Sequence, residues 1–226
     1  MEKIFNKLTF VIFSGKYHVK LNLSVVLGIL FFLYLLVFHY NWSFFEAFSF
    51  SVSIYVCIFF HELGHYWAAR KVGYPASYMV IHLLGATLFV SKEESDPKKE
   101  GFVATAGPLV SIILSFSFYN LFLVTGADFL NYLAIFNFIV FFINMVPVYP
   151  LDGGRLFRAL LLFFLPPDKA TFYSKLPTVI ALIVLAGLCV YELYNRDFIS
   201  FLKYYVIAFF LFSLSFSSSS NRSYDH

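Results

Sequence analysis

An all-α polytopic membrane protein is the fold class the sequence predicts, with about six transmembrane helices and a small membrane-associated β-hairpin or sheet beside one of them. Three observations predict it. The chain of 226 residues is 60% hydrophobic and only 13% charged, about half the charged share of a soluble domain. Apolar runs of about 20 residues recur along it, each long enough to cross a bilayer as a helix. One further apolar stretch, residues 74–91, is β-rich and too short to cross, so it reads as a re-entrant or interfacial hairpin.

The elements follow in order. Residues 1–20 alternate loosely around Ser14-Gly15 and read as a short interfacial strand pair. Residues 21–40 form a first span and residues 44–69 a second, stopped by Arg70-Lys71. After the hairpin, the charged patch 92–100 belongs in water. Residues 102–125 make a third span and 129–150 a fourth; 177–194 and 198–216 make two more around Asn195-Arg196-Asp197. Residues 1–216 thus read as one domain, and the Ser-rich stretch 217–226 as a disordered cytoplasmic tail. The opening segment is too broken by Lys3, Lys7, Lys16 and Lys20 for a cleavable signal peptide.

Charge settles less by its total than by its placement. A net +3 is too small to argue for nucleic acid, and none is expected as a partner. With the N-terminus in the cytoplasm, of the 16 Lys and Arg only Arg196 and Lys203 fall on or near the far side. That bias predicts cytoplasmic N- and C-termini in a cell membrane. Cys57 and Cys189 both lie in apolar spans, so no disulfide framework is implied.

Two islands carry chemistry inside these greasy stretches. His61-Glu62-Leu63-Gly64-His65 closes the second span; Asn144-Met145-Val146-Pro147-Val148-Tyr149-Pro150-Leu151-Asp152-Gly153-Gly154 closes the fourth. An ionisable residue at membrane depth costs roughly 2.5–3.5 kcal/mol, which makes it a functional hypothesis by default. His61 and His65, four apart, share a helix face and can present both imidazoles to one zinc ion. A catalytic zinc typically takes three protein ligands. Asp152 is the natural third, with Gly153-Gly154 permitting close backbone approach; its plainer reading is a helix N-cap. Glu62 is placed to take a proton from zinc-activated water and pass it to the leaving amine. Both islands fall toward the cytoplasmic face.

Pro147 and Pro150 break the helix before Asp152 and expose carbonyls that must be satisfied or line a wet cavity. Asn144 reads either as a donor to substrate or oxyanion or as an interhelical polar contact. A substrate helix must unwind before it can be cut, and its exposed backbone then needs partners. Residues 79–89, around Gly85, offer an edge that could add the substrate as a further strand; the plainer alternative is a structural cover.

The two islands together resemble the site-2 protease family of intramembrane zinc metalloproteases, over about residues 21–158. The resemblance implies His61, His65 and Asp152 as ligands of one Zn2+ and Glu62 as the catalytic carboxylate. It implies cleavage in or near the transmembrane segment of a single-pass protein or membrane-tethered peptide, in the lipid bilayer, with a regulatory membrane partner left open. Substrate entry between the first and sixth spans belongs to that implication. Ala106-Gly107-Pro108-Leu109 resembles the family's third-span signature. Residues 144–154 are similar to the sporulation branch, which trims a membrane-tethered pro-sigma factor. Asn144, Pro147, Pro150 and Gly85 are the substrate-binding candidates. Many relatives carry Gly-Gly in the hairpin where this chain has Leu84-Gly85-Ala86-Thr87. No PDZ insertion or nucleotide-binding CBS module is expected, so those filters would be absent or supplied by partners. Two rivals stand: a zinc-binding scaffold without turnover, which Glu62 argues against, and a prenyl-peptide-type membrane metalloprotease, whose third ligand would be a Glu such as Glu192.

Overall fold

The computed structural model describes residues 9–13, 19–74, 76–82, 85–90, 96–149, 151–196, 200–205, 207–208 and 211–212. The strands are β1 (Thr9–Phe13), β2 (Val19–Asn22), β3 (Ala76–His82) and β4 (Gly85–Val90). The helices are α1 (Ser24–Tyr34), continued by a π-helical turn over Leu35–His39, α2 (Phe44–Lys71), α3 (Pro97–Thr125), α4 (Asp128–Met145), α5 (Asp152–Leu161), α6 (Pro167–Ser174) and α7 (Leu176–Tyr194). The chain divides into two compact units, Met1–Glu94 with Thr105–Phe142, and Ser95–Ala104 with Ile143–His226. Helix α3 is continuous from one to the other.

Among the described residues four helices are long and apolar enough to cross a membrane: Phe44–Lys71, Pro97–Thr125, Asp128–Met145 and Pro167–Tyr194. Where the side chains point supports the reading. On α2, Phe44, Phe45, Phe48, Val56, Phe60 and Trp67 are exposed, while Ser51, His61 and His65 are buried. That pattern is inverted for a protein in water and correct for one in lipid. Several hydroxyl and amide groups on the spans turn back onto their own helices. Ser51 Oγ donates to Ala47 O, Ser117 Oγ to Ile113 O and Asn120 Nδ2 to Phe116 O, each within 2.8 Å.

The element ends differ from the sequence-based spans for local reasons. The first helix is not the expected 21–40: residues through Asn22 belong to β2, and Asn22 Oδ1 accepts from Ser24 N at 2.9 Å to turn the chain. What remains, Ser24–His39, falls among the shorter apolar helices. The third starts at Pro97 rather than 102. Asp96 Oδ1 caps it by accepting from Lys98 N and Lys99 N, and Pro97 suits a first helical turn. So Lys98, Lys99 and Glu100 are helical, not loop. The fourth ends at Met145, before the two prolines. Of the expected sixth span, 198–216, residues 200–205, 207–208 and 211–212 are described and helical; its remaining residues and all of the tail lie outside the described residues.

In the first unit the strands form one sheet in the order β1-β2-β3-β4. Strands β1 and β2 are antiparallel, β2 and β3 parallel, and β3 and β4 antiparallel, with His82 opposite Gly85. Helix α2 opens on a reciprocal capping box, Ser43 with Glu46, worth about 1 kcal/mol. It closes with Arg70 and Lys71 at the favourable end of the helix dipole, and Gly73 takes the left-handed φ of 83° that turns the chain away. Val25 and Ile29 of α1 pack on Tyr55 and Phe59 of α2.

Candidate metal centre

In the first unit, helical spacing brings His61 and His65 of α2 one turn apart, both buried. Their Nε2 atoms are 3.3 Å apart. Two nitrogens each about 2.0–2.1 Å from a tetrahedral zinc would be separated by about 3.3–3.4 Å, so the pair is spaced as the ion requires. On the far side of the first ring, His61 Nδ1 lies 2.8 Å from Ser111 Oγ of α3. A proton held on Nδ1 by that contact leaves the Nε2 lone pair for a metal. Ser111 is fully buried.

Two glycines allow these helices to meet so closely. A Cβ on Gly64 would stand 2.8 Å from both Ala106 O and Val110 Cγ2, so only glycine lets α2 cross α3 there. A Cβ on Gly107 would run into His65 Nε2, and would lie 2.6 Å from His65 Cε1 and 2.7 Å from His61 Nε2. Gly107 therefore keeps open the space in front of both imidazoles.

In the second unit, Asp152 is the first residue of α5 and is 7% exposed. The N-cap is Leu151, in extended conformation and without a side-chain cap bond, so the plainer reading of Asp152 as an N-cap does not hold. The chain folds tightly ahead of it. Val148 N donates to Val146 O, Leu151 N to Val148 O, and Tyr149 N to Thr178 Oγ1 of α7 at 2.8 Å. A Cβ on Gly153 would strike the carbonyls of Met145 and Val146; one on Gly154 would lie 2.8 Å from Tyr149 N and Val148 O. Arg155 Nη1 stands 3.5 Å from Asp152 Oδ1.

Among the described residues His61, His65 and Asp152 are all buried and are the candidate ligand set for one metal ion. The donor set fits zinc: two imidazoles and a carboxylate are a catalytic zinc triad. The group contains Asp152 and not Glu192. Glu62 is half-buried on α2, next to His61; Asn144 is in the last turn of α4; Pro147 is exposed in the turn after it; Gly85 opens β4. Pro150 lies outside the described residues. Ser111 and Thr178 were not singled out from sequence. Ser111 carried a faint signal, four residues after Gly107 and hence on the same helix face; Thr178 carried none. Replacing Ser111 by alanine should weaken zinc binding about 10- to 100-fold with the fold retained, as checked by chelator competition on the purified protein.

A family model described as Peptidase family M50 matches residues 49–127 and 124–186. A zinc metalloprotease of Methanocaldococcus jannaschii is 29% identical over a stretch covering 49% of this chain and 33% of that protein. Stage IV sporulation protein FB of Bacillus subtilis is 36% identical over 50% of this chain and 40% of its own length. The chain thus matches well under half of these curated relatives. The solved structure of the site-2 protease from Methanocaldococcus jannaschii superposes with a TM-score of 0.64, over 92% of this chain and 95% of that one, at 22% identity. At that identity it speaks for the fold.

Proposed function

Because the chain belongs to Peptidase family M50, we propose that it is a zinc-dependent endopeptidase that hydrolyses a peptide bond in or near the transmembrane segment of a membrane-tethered protein or peptide. The observation that carries this reading is the buried group of His61, His65 and Asp152. Three ionisable side chains out of water beside apolar spans are costly unless they share a cation. Zinc bound there would supply a water with a pKa near 7 and polarise the scissile carbonyl.

The chain's own residues do the rest. Glu62 takes a proton from the attacking water and delivers it to the leaving amine nitrogen. Asn144 donates to the substrate backbone. Pro147, in the turn after α4, and Pro150 both disfavour helix ahead of Asp152, and Gly85 opens β4. Among the described residues strand β4 pairs with β3 alone, and its other edge would pair with an unwound substrate backbone that would otherwise carry unsatisfied polar groups. The Lys and Arg distribution puts both termini and the metal-binding end of the spans on the cytoplasmic side.

The test compares new protein N-termini in cells expressing the wild type and Glu62→Gln. The amide keeps the shape of the side chain but cannot take the proton, so turnover should fall about 10²- to 10⁴-fold with zinc still bound. N-termini inside membrane spans, seen only with the wild type, would establish proteolysis and identify the substrate. Identical profiles would leave a zinc-binding scaffold as the better description.

A further inference from the structure

We propose that Arg158 is a positioning residue for Asp152. Its buried guanidinium locks α5 against the start of α3 and against α6, and so fixes the direction in which α5 presents the carboxylate. The proposal rests on the zinc reading above. The contacts that carry it lie in the second unit. Arg158 is 6% exposed, its Nη1 donates to both carboxylate oxygens of Glu100, and its Nε donates to Thr171 Oγ1 at 2.8 Å. Thr171 Oγ1 in turn donates to Pro167 O at 2.8 Å. The side chains of Arg158 and Glu100 are 7% and 14% exposed. Next to it, Gly101 approaches Ala159 and Leu156 at ordinary van der Waals distance, so α3 and α5 already touch.

The need for such a lock follows from the size of α5. It has ten residues, too few to hold a direction by its own hydrogen bonds. Gly153 and Gly154 pin its first turn to the preceding chain. Arg158 pins it six residues on, about 9 Å along the axis. A tilt of about 10° about that point would carry Asp152 by about 1.5 Å, against a metal-ligand tolerance of about 0.2 Å. An apolar pair would serve stability as well or better, because a buried ion pair rarely repays its desolvation. What the forked guanidinium adds is direction, through three hydrogen bonds whose geometry is fixed. The helix that supplies Glu100 also carries Gly107 and Ser111, seven and eleven residues further along.

Stability and positioning can therefore be separated. The double variant Glu100→Leu/Arg158→Met removes both charges together and should fold with an unchanged or raised Tm. Its zinc affinity, measured by chelator competition on the purified full chain, should fall about tenfold. The visible absorption of its cobalt-loaded form should shift as well. Wild-type affinity and an unshifted cobalt spectrum in this variant would overturn the proposal. If the double variant does not accumulate as folded protein, Thr171→Val decides: it keeps the ion pair and removes the Nε acceptor together with the hydroxyl's bond to Pro167 O, and should weaken zinc about threefold. No change there would overturn the proposal equally. Wild type and Asp152→Ala run alongside. A wild type that takes up no zinc would sink the zinc reading and this inference together. One equivalent bound in an Asp152-dependent way, and unaltered by the Arg158 change, would sink the inference alone.

Discussion

Gly107→Ala should empty the metal centre. The added methyl would collide with His65 Nε2 and sit 2.7 Å from His61 Nε2, and neither ring has room to yield. His61 is tied to Ser111, His65 is 2% exposed, and Gly107 is held in a packed helix. We expect zinc content to fall below one tenth of the wild-type level and proteolysis to fall at least 100-fold. Metal analysis of the purified protein checks this directly. Gly187→Ala is the matched control: nothing lies within 4 Å of a Cβ there, and the change removes a helical glycine, so it should be neutral or stabilising by about 0.5–1 kcal/mol. Equal zinc in both variants would mean that Gly107 does not face the ion.

Gly153→Ala should strike the other half of the centre. Its methyl would meet the carbonyls of Met145 and Val146, which are backbone and cannot rotate aside. Helix α5 must shift at its first turn, where Asp152 stands. We expect a loss of roughly 2–4 kcal/mol in stability, in the range of the larger single-site effects, and zinc binding at least 100-fold weaker. Thermal unfolding with and without added zinc separates the two. A variant with wild-type zinc affinity would show that α5 can relax without moving its carboxylate.

Much of this was legible in the chain, and what was not was hidden for two reasons. His61 and His65 could be paired from spacing alone, since four residues bring two side chains to one helix face. Asp152 stood out by its prolines and glycines, whose backbone demands are local. The apolar runs marked most of the spans, but their ends depended on groups that hydropathy does not weigh: Asp96 capping α3 and Asn22 turning β2 into α1. The partners of the site were hidden for a different reason. Ser111 is 50 residues from His61, Thr178 is 29 from Tyr149, and Glu100 is 58 from Arg158. Each is an ordinary residue whose role exists only once distant segments meet, and no periodicity records that.

The parallel pairing of β2 with β3 sets an order on how the chain is built. Val19 lies opposite Met79, and the helices α1 and α2 are threaded between them. A ribosome adding about 5–20 residues per second needs about 3–12 s to deliver β3 after β2. Through that interval the first hairpin has no neighbour on its β2 side, an exposed edge of the kind that invites wrong pairing. Insertion of the histidine-bearing helix thus precedes completion of the sheet, and a pause in synthesis between them would lengthen the time for which that edge stands exposed.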